Sequence, residues 1–457
     1  MNRTGVNMAP AFAWAASVGV VLADSSIVTL ALPEILREYD TTVFGVSWVL
    51  TSFNLVLALV VVAVAEYAAI RPRRIWSLGL AGFAASSLAC ALAPSLGLLI
   101  AARCLQAVGG AMIVAAAIEL LARSYGSHRE AAIRWGAAGT VGLALGPALG
   151  GILTELLSWE SIFLLQAPLV MLLAAARLPD DVTEAGPEGE QSHAPEIALG
   201  LISAGLTAAL FLLVILLTEG WGLSPIEAAI VISVIPAATL LADRIPIPDP
   251  RSASYAAAGT ISVAGGLAAL GVLPGASADL AIAPQILVGV GLALALPVLT
   301  KAALGDSDPH GLRGARTIAA RHAGIVVGIV LLTPVLTWQL ESQEDAGRAA
   351  GTALLLDAPL SPATKLAVAE GVDSTISSSE GQLPEISEAF DGVSDDPAEQ
   401  AALAELEAGI ADQLERAATN AFSLPFFGAA ALATLALLPL LRIARIPLPL
   451  IRRRPSA

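Results

Sequence analysis

Two charged residues stand inside apolar stretches of this 457-residue chain: Asp24 in LADSSIVTLALPEI and Arg103 in RCLQAVGGA. Asp24 falls within an apolar run from Ala9 to Pro33. A charge at the centre of a membrane helix costs roughly 2.5–3.5 kcal/mol on insertion scales. A carboxylate kept there can take up and release a proton, and a guanidinium beside it tunes that exchange. Counted from the ends of their apolar runs, Asp24 lies about 13 Å deep and Arg103 about 10 Å deep, at 1.5 Å per helical residue. The matching depth permits the two to interact, directly or through water, with Gln106 one turn below Arg103. A static ion pair that only fixes two helices is the plainer alternative.

Two further patterns concern motion. In GLALGPALGG, Gly142, Gly146, Gly150 and Gly151 recur at spacings of four or nearly four, so we expect them to line one helix face and admit a neighbouring backbone. Pro147 removes one intrahelical hydrogen bond there and can bend the helix. In AEYAAIRPRR, Glu66, Arg73 and Arg74 gather near one membrane surface, with Glu119 at a similar level; these four are the candidate cytoplasmic gate. Without a phosphate-binding loop, metal-ligand cluster or catalytic triad, we expect no cofactor, no metal, no nucleic acid partner and no enzymatic activity.

The elements that position these residues are membrane spans. Charged residues make up 14% of the chain and hydrophobic ones 56%, against about 25% charged in soluble domains. Apolar windows predict an all-α polytopic fold with twelve spans, at 10–33, 43–66, 75–94, 96–122, 133–156, 159–177, 196–218, 224–243, 254–274, 279–304, 317–339 and 420–441. With both termini inside, 19 of 24 basic residues fall in cytoplasmic segments, as the positive-inside rule requires. This predicts a multi-pass protein of the cell membrane with cytoplasmic termini. Residues 1–178 are expected to form one six-helix half, 179–195 a Pro/Gly-rich linker, and 196–340 with 419–457 the second half. Residues 341–418 are an extracytoplasmic insert with 17 acidic and 3 basic side chains, a net of −14. Leu403, Leu406, Ile410 and Leu414 predict an amphipathic helix in it, while 373–396 reads as loose. Trp48, Trp159 and Trp221 read as interfacial belt residues, and Lys301, Arg321 and His322 as interfacial. Cys90 and Cys104 lie in apolar segments, so no disulfide is expected.

Several motifs fall in order along these spans: Asp24 to Pro33, WVLTSFNLVLA (48–58), RCLQAVGGA (103–111), GLALGPALGG (142–151) and LSWESIFLLQAPL (157–169). This set resembles the drug:proton antiporter-2 branch of the major facilitator superfamily, closely over the first 175 residues and more loosely beyond. The resemblance implies two six-helix halves around a central cavity, with spans one and four lining its N-terminal side. It implies proton-coupled efflux of small hydrophobic or cationic compounds by alternating access, with the glycine motif at the hinge. The partners would be the lipid bilayer, a small-molecule substrate and protons. The loop 65–74 departs from the family pattern, since Ala65, Ala69 and Pro72 stand where Gly, Asp and Gly are expected. A uniporter, symporter or exporter of an endogenous metabolite or lipid is the first alternative. The second is a membrane scaffold or sensor in which residues 341–418 dock an envelope partner.

Overall fold

The computed structural model describes residues 8–125, 127–174, 192–242, 253–273, 278–304, 310–378, 386–394 and 396–443. Among them eleven helices are long and apolar enough to cross a membrane, and the shorter apolar helix Glu160–Leu173 supplies a twelfth. In chain order they are α1 (Pro10–Glu38), α2 (Val43–Ile70), α3 (Pro72–Ala91), α4 (Leu96–Tyr125), α5 (Glu130–Leu156) and α6 (Glu160–Leu173). Then come α7 (Ala194–Gly220), α8 (Pro225–Ala242), α9 (Ala253–Leu270), α10 (Ala278–Leu304) and α11 (Gly311–Asp357). The insert contributes α12 (Pro362–Ser378) and α13 (Pro397–Ala421), which passes at Phe422 into α14 (Ser423–Leu435), the last span. Most of the expected linker, 179–191, lies outside the described residues.

Local chemistry sets the ends. Thr42 caps α2 by accepting from the Gly45 N–H. Ser224 and Glu227 form a reciprocal capping box at the start of α8. Pro72 begins α3, where its missing N–H costs nothing. Within α1, residues Val28–Ala31 tighten into a 3-10 turn just before Pro33; a proline there cannot donate to the turn before it. Pro425, three residues into α14, accounts in the same way for the break at Phe422.

The helix contacts repeat. In the first half α1 lies against α5, and α3 against α4 and α6; in the second α7 lies against α11, and α9 against α10 and α14. Each half uses glycine for its closest contacts. A methyl group at Gly109 would meet the Phe83 backbone and the Gly79 carbonyl, and Gly259 and Gly291 face each other's carbonyls in the same way. The halves meet where α2 lies along α11 and α5 along α8.

The two ends of the bundle differ, and we name them by the insert and the linker. At the insert end one continuous core runs across both halves, from Val28, Leu32, Ile35 and Val46 to Phe211, Leu216, Ile232 and Val288. Toward the linker end a second core belongs to the first half, with Ala315 and Ile318 of α11 buried in it from the second and Leu312 and Ala319 packed against it.

The insert is a small domain with its own core, fed by rods that continue out of the membrane. α11 runs 47 residues without a break, about 70 Å at the helical rise and more than twice the ~30 Å hydrocarbon layer. Leu403, Leu406, Ile410 and Leu414 are buried against Leu355, Leu360, Val368, Ile386 and Phe390. The expected loose stretch 373–396 is partly corrected: α12 continues through Ser378, and Ile386–Ala389 forms a 3-10 turn. Val368, Ile386 and Phe390 supply the apolar anchors that order it.

Candidate functional site

Asp24 on α1 and Arg103 on α4 meet as a fully buried ion pair, Nη1 to Oδ2 at 2.5 Å. Nη1 also donates to Gln106 Oε1 at 2.5 Å, and Nε donates to the Val49 carbonyl of α2 at 3.3 Å. The guanidinium lies 4.2 Å from the Phe53 ring centre and 5.5 Å from that of Phe163, so aromatic faces shield it on α2 and α6. Gln106 Nε2 faces three acceptors: Ser87 Oγ at 2.8 Å, Gln166 Oε1 at 3.0 Å and Asp24 Oδ1 at 3.4 Å. An amide nitrogen has two protons, so one of the three is always under-served. Arg103 Nη2 is buried with no hydrogen-bond partner among the described residues. The cluster is thus held from α1, α2, α3, α4 and α6 and is still short of satisfied. A buried polar network that is fully satisfied rigidifies its site; this one, with an under-served acceptor and a spare donor, is held less firmly.

The glycine motif divides between two neighbours. A methyl group at Gly142 would run into the Gly19 carbonyl of α1, one at Gly146 into Ser26 Oγ, and one at Gly150 into the Ile27 carbonyl. Gly151 instead faces Pro225 and Ala229 of α8, in the other half. The expected single face of four is corrected: residue 151 is about 100° around the helix from 150. Pro147 lies inside α5, which continues as a helix through it. Beyond the motif, Glu155 accepts from the Ile226 N–H at 2.7 Å, and Arg37 pairs with Glu219 at 3.2 Å. Both ties join the halves at the insert end.

A family profile of the Major Facilitator Superfamily matches residues 14–333. The chain belongs to that superfamily. It is 33% identical over 177 residues to the multidrug resistance protein Stp of Mycobacterium tuberculosis, covering 38% of this chain and 33% of that one. It is 34% identical over 174 residues to the multidrug efflux pump LfrA of Mycolicibacterium smegmatis, covering 36% and 34%. The methylenomycin A resistance protein of Streptomyces coelicolor is 30% identical over 235 residues, covering 50% and 48%. The chain therefore spans a third to a half of the length of these relatives. A bacterial homologue of the human lysosomal transporter Spinster, inward-facing and unoccupied, superposes with a TM-score of 0.63 at 14% identity, over 98% of this chain and 100% of that one. That likeness shows the shared fold.

As a superfamily member the chain is a multi-pass membrane protein, with relatives named for multidrug resistance and multidrug efflux. The four residues expected at the gate lie toward the linker end of α2, α3 and α4. Glu119 is buried on α4 with its carboxylate against Gly311, at the start of α11 in the other half. Glu66 is exposed and has no polar partner among the described residues, while Arg73 is half-buried and Arg74 exposed. Arg123 donates to the Ala69 carbonyl at 2.7 Å, tying α4 to α2 within the first half.

Three residues read as interfacial are buried or deep. Trp159 is buried between Tyr39 and Phe163 and its indole N–H donates to Glu38, so an apolar face and one acceptor hold it inside. His322 is buried, and its Nδ1 donates to Asn54 Oδ1 of α2 at 2.6 Å. The donor assignment follows because Asn54 Nδ2 is already committed to the Leu50 carbonyl at 2.8 Å. Arg321 is deep for the same reason as His322: α11 begins earlier than the expected span, so both lie about 15 Å from its start. The arginines in GLRGARTIAAR hide this start from a hydropathy reading. The four-residue spacing Gly324–Gly328, which seats α11 on Gly200 and Ala204 of α7 as the motif seats α5 on α1, was the available signal.

Proposed function

We propose that this chain is a proton-coupled exporter of small hydrophobic compounds that works by alternating access, with Asp24 as the proton-handling group. The observation that carries this is the buried Asp24–Arg103 pair, with three acceptors sharing the two Gln106 amide protons and Arg103 Nη2 without a hydrogen-bond partner among the described residues. When Asp24 takes up a proton, its attraction for the guanidinium falls. Arg103 then keeps Gln106 Oε1 and the Val49 carbonyl, so α1 is released while α4 and α2 remain tied. Proton binding thereby loosens one defined helix contact, which is what coupling requires. Gly142, Gly146 and Gly150 let α1 lie close enough to α5 to transmit that change. Gly151, Glu155 and the Arg37–Glu219 tie are placed to open and close the insert end. Glu119 against Gly311 is placed to do the same at the linker end.

The Lys/Arg distribution supports cytoplasmic termini and an external insert, with residues 1–178 and 196–340 plus 419–457 as the two moving halves. Asp24→Asn preserves shape and hydrogen bonding but cannot carry a proton. In proteoliposomes with an imposed pH gradient, we expect this variant to fold, to bind substrate and to lose gradient-driven accumulation. Accumulation at the wild-type level in Asp24→Asn would overturn the coupling role, and substrate flux independent of any pH gradient would favour a uniporter.

A further inference from the structure

Inside the membrane level of the bundle, Arg321 carries a positive charge with no counter-charge among the described residues. It makes no hydrogen bond or ion pair with any described residue. Its neighbour His322 bonds Asn54 near the middle of the 28-residue α2, so Arg321 lies at mid-span height, too deep for its side chain to snorkel out to the interface.

The face it occupies can be read from its neighbours. Gly324 and Gly328 mark the side of α11 against α7, and His322 the side against α2. At 100° per residue Arg321 lies between them. Residues sharing that arc, Thr317, Ile318, Ile325, Leu332 and Leu336, are buried, whereas Val327, Val330 and Leu331 form the exposed opposite side. Arg321 is itself partly exposed, and on this arc the space it meets is inside the protein, not lipid. The two acids of the described interior are accounted for: Asp24 is taken by Arg103, and Glu119 lies at the linker end against Gly311. A guanidinium keeps its proton at any pH a cell reaches. An anion that enters this space is therefore what satisfies it, and an organic cation is repelled.

We propose that Arg321 is the recognition point for an anionic group, such as a carboxylate or sulfonate, on the transported solute. This rests on the reading of the chain as an exporter and narrows its substrate class. The Asn54–His322 bond fixes α2 against α11 one residue away and so positions the guanidinium between the halves, where a bound anion touches the moving interface.

The test compares three probes on one ring system: 2-naphthoate, 2-naphthamide and 2-naphthyltrimethylammonium. Their binding to the purified full chain is measured by calorimetry for wild type, Arg321→Gln and Arg321→Lys. We expect wild type to prefer naphthoate. Arg321→Gln should lose it by about tenfold or more, the scale of one charge-assisted hydrogen bond, with naphthamide unchanged. Arg321→Lys should keep part of the preference, which separates lost charge from misfolding. Naphthoate binding wild type no better than naphthamide, or an equal loss of all three probes in Arg321→Gln, would overturn the proposal. Asp24→Asn should keep the naphthoate preference while losing gradient-driven flux, so anion recognition and proton coupling fail separately.

Discussion

Replacing Arg103 by Met removes the 2.5 Å pair with Asp24, the bond to the Val49 carbonyl and the contact with Phe53. Asp24 is then left fully buried with one 3.4 Å contact to Gln106. Breaking one side of a buried pair costs about 3–5 kcal/mol, because the remaining charge has no compensation. Asp24→Asn is milder, since the asparagine oxygen still accepts from Arg103 and the guanidinium keeps Gln106 and Val49. Removing both charges in Asp24→Asn/Arg103→Met relieves the charge left by each single change, and well-packed neutral replacements of buried pairs are often neutral or stabilising. The expectation is therefore strong non-additivity: the double variant melts above Arg103→Met, and the coupling exceeds about 2 kcal/mol, well outside the ~0.5 kcal/mol scatter of independent sites. The assay is thermal unfolding of all four proteins in one detergent at one scan rate, since unfolding of such proteins is governed by rate as well as equilibrium. Effects of the two substitutions that simply add would refute the pair as an energetic unit.

Gly146→Val should push α1 off α5, because Ser26 and the Ala23 carbonyl occupy the space. A cost of about 1–3 kcal/mol, with flux lost, is checked by melting temperature and proteoliposome transport. Gly151→Leu meets Ala229 and the Pro225 carbonyl across the halves. It should therefore weaken the closed insert end, with cross-linking of a cysteine pair at positions 37 and 219 as the readout. In the insert, Glu399 accepts from the Ser361 N–H at 2.7 Å and from Thr364 Oγ1 at 2.8 Å, holding the start of α12. Hydrogen bonding from Ser394, Ser361 and Thr364 lowers its pKa from 4.5 to about 2. A lowered folded-state pKa means the tie is intact above about 4.5 and is lost as pH falls toward 2. Hydrogen exchange of the α12 amides should rise over that window, and Glu399→Gln should remove the pH dependence.

The amino-acid sequence by itself determined which segments enter the membrane, since hydropathy over about twenty residues is a property of each segment alone. It also marked Asp24 and Arg103 at matching depth, because helical rise converts residue number into height. The same counting failed where charges sat inside a span: the arginines ahead of Arg321 looked like a cytoplasmic approach, and α11 had in fact already begun. What height cannot supply is direction around each helix and the identity of the neighbour. Only the packed bundle showed that Gly151 faces α8, that Gln166, Phe53 and Phe163 close the site around Arg103, and that Asn54 bonds His322 across the halves. The physical reason is that these contacts join residues far apart in sequence, and each is selected by the close packing of several helices at once.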